Sequence, residues 1–143
     1  MRFIGALIIG FLIIGCEVTP QPLKYGMDAC YTCKMTLMDT KFGAEIVTEK
    51  GKVYKFDDIN CMVDFYNSGY EPVDNMAHIL VIDFSQPEKF VPGRDAFYIK
   101  SNEIRSPMSS GIAAFETKTE MDKHKKELKG IWLSWGELVT EFK

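Results

Sequence analysis

FGAEIVTEKGKVYKFDDINCMVDFYN, residues 42–67, changes its hydrophobic period part-way along. Phe42, Ala44 and Ile46 recur every second residue, which predicts a strand over 42–48. Lys50-Gly51 is a turn signal, and residues 53–56 predict a second strand, so the two form a hairpin. Ile59, Met62, Val63 and Tyr66 then recur at helical spacing. They predict a helix to about Asn67, capped by Asp57 or Asp58. The apolar run HILVIDF, residues 78–84, predicts a strand buried on both faces. This stretch therefore reads β-β-α-β.

The order repeats downstream. Residues 96–100 predict a strand, the turn SPMSSG (106–111) follows, and residues 112–115 predict another strand. Thr117 with Glu120 forms a capping-box pattern for a helix to about Lys129, with Gly130 as its stop. Residues 131–133 predict a short strand. Ser134 with Glu137 starts a last helix, whose apolar stripe is Trp135, Leu138, Val139 and Phe142. Phe56-Asp57-Asp58 corresponds to Phe115-Glu116-Thr117, each closing a strand and opening a helix. The expected fold class is α+β: two tandem β-β-α-β units, over about 40–85 and 95–134, packed together, plus a C-terminal helix.

The first residues follow another logic. FIGALIIGFLIIG (3–15) is almost wholly apolar and follows Arg2, as in a signal peptide. It is short of the roughly 20 residues of a membrane span. It ends in Ile13-Ile14-Gly15-Cys16, similar to the lipobox at which bacterial lipoproteins are cut and acylated. The expectation is a lipoprotein signal peptide over 1–15 and lipid attachment at Cys16. An ordinary signal peptide with an incidental Cys is the alternative. Residues 16–26, with two prolines and no periodicity, read as a tether, and 27–143 as one domain. Removing Arg2 takes the formal charge from −3 to −4. That acidity argues against nucleic acid, and the membrane is reached through the lipid rather than a basic patch.

The chemistry gathers in MDACYTCKMTLM, residues 27–38, where five of twelve side chains carry sulfur. If Cys16 is acylated, Cys30, Cys33 and Cys61 remain, and three thiols cannot all pair within one chain. Covalent haem is excluded, because Lys34 and not His follows the second Cys of C-x-x-C. A dithiol redox pair should open a helix after a strand, and no strand precedes Cys30. Zinc needs two more ligands, and the chain offers Cys61, His78 and His124 with no second C-x-x-C. Thiolate with thioether selects Cu(I). Met35 is on the same side as Cys33 in an extended segment, so Cys30, Cys33 and Met35 read as ligands. Met27 and Met38 are undecided between ligand and surface. Met62 and Met121 lie on apolar helix stripes and read as core. Cys61 is offset from its stripe and reads equally as an inert buried thiol or as a third thiol at the site. Met108, in a turn that Pro107 fixes and the serines and Gly111 expose, has no core to fill and reads as a further ligand.

The chain resembles the NosL family of copper-binding lipoproteins encoded with nitrous oxide reductase. The resemblance is carried by the lipobox at Cys16, DACYTCKM (28–35), FDDINCM (56–62), RSPMSSG (105–111) and AAF (113–115). It implies a fold of two β-β-α-β units related to the organomercurial lyase family. It implies Cu(I) binding through Cys30, Cys33, Met35 and the P-M turn of Met108. The family often has Gly before the motif Met, where this chain has Lys34. A larger side chain there stiffens the turn or obstructs the metal.

The reading is a lipid-anchored extracytoplasmic Cu(I) metallochaperone, not an enzyme, on a bacterial membrane facing the periplasm or exterior. Its expected partners are a copper-accepting enzyme, by resemblance nitrous oxide reductase, and a copper-donating membrane protein. The alternative is a lipoprotein thiol–disulfide reductase using Cys30 and Cys33. A lyase acting on carbon–metal bonds is suggested by fold analogy alone.

Overall fold

The computed structural model describes residues 18–142, so the signal segment and Cys16 lie outside the described residues. Strand β1 (Ala44–Thr48) and strand β2 (Val53–Phe56) form the hairpin, closed where the Gly51 N–H donates to the Thr48 carbonyl at 2.8 Å. Helix α1 (Ile59–Asn67) follows, and β3 (Met76–Ile82) returns antiparallel to β1. A further strand, β4 (Phe90–Pro92), pairs antiparallel with β3, giving the order β2-β1-β3-β4. β3 is not buried on both faces along its length. Ala77, His78 and Leu80 are half-buried, while Ile79, Val81 and Ile82 are buried.

The second unit has the same winding. Strands β5 (Phe97–Lys100) and β6 (Ile112–Phe115) form an antiparallel pair. Helix α2 (Lys118–Leu128) follows, and β7 (Ile131–Leu133) returns antiparallel to β5, giving the order β6-β5-β7. In both units the first strand lies between the second and third. The chain ends in α3 (Trp135–Glu141), with a complete capping box between Ser134 and Glu137. Among the described residues no helix is long and apolar enough to cross a membrane.

Burial explains the composition of β6. Ile112 and Ala114, with Tyr98 of β5, join the main core, which also holds Ala44, Ile46, Phe56, Ile59, Met62 and Val63. Ala113, Phe115 and Ile99, on the opposite face of the same sheet, pack with Met121 of α2. The second sheet is thus covered on both faces at β6, every residue of which is buried, while Ile131 and Trp132 of β7 are exposed.

The units are joined through polar atoms as well as apolar ones. Asp83, fully buried just after β3, bridges in parallel to Ala114, and the Phe84 N–H donates to the Ala114 carbonyl at 2.8 Å. α3 turns back onto α1: Asn67 Nδ2 donates to the Val139 carbonyl at 2.8 Å, and Tyr66 meets Trp135 edge-to-face.

Part of the stretch read as a tether is packed against this body. Leu23 is buried in the main core, the Gln21 N–H donates to Glu45 Oε1 at 2.8 Å, and Lys55 Nζ donates to the Pro22 carbonyl at 3.0 Å.

Candidate metal centre

The C-x-x-C segment is a short closed loop, with no regular helix in it. Ala29 bridges to Thr36, the Cys30 N–H donates to the Met35 carbonyl at 2.8 Å, and the Lys34 N–H donates to the Cys30 carbonyl at 3.0 Å. Closing the loop forces Lys34 to φ +65, the left-handed region that favours glycine. Its ammonium lies 4.4 Å from the centroid of the Tyr31 ring.

Three contacts dock the loop on the first unit. The Tyr31 N–H donates to the Lys55 carbonyl of β2 at 2.7 Å, and the Thr32 hydroxyl donates to the Cys61 carbonyl of α1 at 2.9 Å. Asp28 pairs with Lys55 at 2.6 Å. The Tyr31 ring also packs edge-on against Tyr54 and Phe65.

This docking brings Cys30 and Cys33 to Cys61, in the first turn of α1. The three Sγ atoms all lie within 4.8 Å of one another. Cys30 and Cys61 are buried, Cys33 is half-buried, and none is in a disulfide. The cluster is therefore closed on the protein side and opens to solvent at Cys33.

The three sulfurs do not share charge equally. Hydrogen bonding from the Cys61 thiol is the largest influence on Cys30, and the N–H groups of Cys33 and Asp57 add to it. Against the cost of burial they pull Cys30 down to about 5. Cys61 moves up, because it donates to Cys30 and because it is buried. Cys33 is raised chiefly by burial. Asp57 is pushed up to about 6, first by burial and then by the neighbouring Cys30 thiolate and Asp58. Near neutral pH the cluster thus holds one thiolate and two thiols. Three soft donors so close, with an open side, can hold one soft ion at low coordination number.

A family model, NosL, matches residues 24–142. The chain belongs to the NosL family. Among solved structures, the copper chaperone NosL from Shewanella denitrificans is similar with a TM-score of 0.67 at 20% identity, over 85% of this chain and 96% of that one. That likeness shows a shared fold. No curated protein matches the chain.

Within this NosL fold the residues singled out by sequence separate into groups. Cys30 and Cys33 stand together, and Cys61 joins them as a third thiol at the site. Met35 is 52% exposed, and Met27 and Met38 are more exposed still. Met62 and Met121 are buried core residues. Met108 is not the free, exposed side chain that its serine-rich turn suggested. It is half-buried against the core cluster that includes Cys30 and Cys61, and its N–H donates to Asp58 Oδ2 at 2.9 Å. His78 and His124 are not in the cluster, which among the described residues is made of cysteines alone. Sequence reasoning missed Asp58, which it offered only as one of two possible helix caps. The signal was present in the doubled Asp57-Asp58 before Cys61.

Proposed function

We propose that this protein is a Cu(I) metallochaperone, anchored by lipid at Cys16 outside the cytoplasm, that hands copper to a cuproenzyme. The three-sulfur cluster of Cys30, Cys33 and Cys61 carries the reading. Thiolate donors give a soft ion charge and affinity, and a thioether from Met108 or Met35 adds softness without charge. The solvent side at Cys33 leaves a position for an incoming ligand, so copper can leave by ligand exchange. The family resemblance supports nitrous oxide reductase as the acceptor and a copper-donating membrane protein as the source. The description of the Shewanella denitrificans relative as a copper chaperone supports the same role.

Cu(I) is the cargo, and the residues fit it. Zinc would call for a fourth strong ligand, which no histidine or further cysteine of the cluster supplies. Competition for Cu(I) against a chromogenic chelator, with the reduced full chain, tests the proposal. One Cu(I) per chain is expected, with a large loss in Cys30→Ser.

A thiol–disulfide reductase is the second reading, favoured by the depressed Cys30 thiol. Cys61 as an added thiol, and a C-x-x-C that opens no helix, weigh against it. If Cys30→Ser leaves copper affinity unchanged while abolishing disulfide exchange, the reductase reading replaces the chaperone.

A further inference from the structure

We infer that Asp58 is a positioning residue of the copper site, whose buried carboxylate holds the Met108 turn of the second unit against the start of the Cys61 helix. The inference rests on the copper reading above and on hydrogen bonds that a helix cap would not make.

Asp58 occupies the N-cap position of α1 with extended backbone, φ −140 and ψ 156. An aspartate there ordinarily accepts an N–H from the first turn of its own helix. The Asp58 side chain makes no such bond. Its Oδ2 accepts from the Met108 N–H at 2.9 Å, and its Oδ1 accepts from the Ser110 hydroxyl at 2.6 Å. Both bonds cross from one unit to the other. The carboxylate is fully buried, so each is a charge-assisted bond shielded from water.

The far side of the turn is also held. Ser106 Oγ lies 3.0 Å from Ser110 Oγ and accepts the Gly111 N–H at 3.2 Å. Left to itself, a turn of serine and glycine has many conformations. Here Asp58 grips the backbone of the residue that carries the thioether and the hydroxyl two residues on. Cys61, whose sulfur lies within 4.8 Å of those of Cys30 and Cys33, sits in the helix turn that Asp58 opens. The carboxylate therefore ties the thioether turn to the helix start that carries Cys61. Joining the two units does not require it, because Asp83 already bridges to Ala114. Fixing the orientation of a metal-binding side chain is the work of such outer partners, and losing one weakens metal binding about 10- to 100-fold.

The test is a double-mutant cycle on Cu(I) affinity. The reduced full chain, Asp58→Ala, Met108→Leu and the double variant compete with a chromogenic Cu(I) chelator. Each single change should weaken binding about tenfold, and Asp58→Ala should add nothing in the Met108→Leu background. Asp58→Asn, which keeps an acceptor for the Met108 N–H, should restore most of the affinity. X-ray absorption of the copper-loaded protein should show the thioether scatterer lost equally from Asp58→Ala and Met108→Leu. An equal loss in both backgrounds would mark Asp58 as merely structural and overturn the inference. So would an unchanged affinity in Met108→Leu, which leaves the three-cysteine site standing. If Cys30→Ser binds Cu(I) as tightly as the native chain, the copper reading itself fails and the inference with it. Should Asp58→Ala not fold, Ser110→Ala removes one of the two ties and enters the same cycle, with a smaller loss that again must vanish beside Met108→Leu.

Discussion

The Cys61 sulfur lies within 4.8 Å of the Cys30 sulfur, and the Cys61 thiol is the chief influence that lowers the Cys30 pKa. One residue comes from a loop and the other from a helix, so the charge of the site depends on their docking. Cys61→Val removes the donor and a ligand together. The Cys30 titration should then rise from about 5 toward the ordinary thiol value of about 8.5. Ultraviolet thiolate absorbance against pH reads this directly. Cu(I) affinity should fall on the order of a hundredfold, at the upper end for a disturbed metal site. A Cys30 titration that stays near 5 would show that backbone N–H groups alone hold the thiolate.

Copper uptake should release protons. Cys33 and Cys61 are raised above ordinary thiols while Cys30 is already charged near neutral pH. Binding as three thiolates then expels about two protons per Cu(I). Affinity must rise with pH, by about two decades per unit, from about 5 up through neutrality. Below about 5 the slope steepens as Cys30 also takes up its proton. Calorimetry in buffers of different ionisation enthalpy counts the protons. Release of one or none would show that Cys33 and Cys61 do not both bind as thiolates.

Both units were readable because their strands and helices keep clean periods. Phe42, Ala44 and Ile46 alternate, although β1 is buried along its whole length, and Met62 and Val63 share a buried helix face. β4 was not readable: three residues ending in proline carry no period, and their pairing with β3 is tertiary. Glu45 was also hidden. It alternates outward on β1, where sequence expects solvent, yet residues near Gln21 cover it, and burial raises its carboxyl. At the site, C-x-x-C announced itself by spacing. Cys61 did not, because its neighbours in space come from another element. Met108 owes its place to a contact that the sequence does not show. Exposure suggested a ligand, whereas the turn is docked by Asp58.

Asp83 should be a second polar tie between the units, beside Asp58. Its Oδ1 accepts from the Ser85 N–H at 2.8 Å and the Ser85 hydroxyl at 2.6 Å, and its Oδ2 accepts from the Glu116 N–H at 3.2 Å. Asp83→Ala leaves donors without an acceptor beside a fully buried position, at a cost of about 2 kcal/mol. A lower urea midpoint at unchanged slope would register it. Asp83→Asn, which keeps one acceptor, should lose less.

The end of α2 separates two roles that sequence merged in one glycine. The sequence places the helix stop at Gly130, but the left-handed residue is Lys129, at φ 47. Gly130 is needed for space instead. A Cβ there would meet Ile99 Cγ2 at 2.2 Å and the Lys100 carbonyl at 2.9 Å, because the chain passes directly over β5. Gly130→Ala should therefore cost about 2 kcal/mol by overpacking. Lys129→Gly should relieve about 1 kcal/mol of left-handed strain and lose roughly half of that to the freer unfolded chain. The net is a small gain in stability. Denaturant midpoints of the two variants should thus move in opposite directions. If Gly130 were the cap, Lys129→Gly would instead place a second glycine in the helix end and destabilise it by about 1 kcal/mol. The sign of the Lys129→Gly shift decides which residue stops the helix.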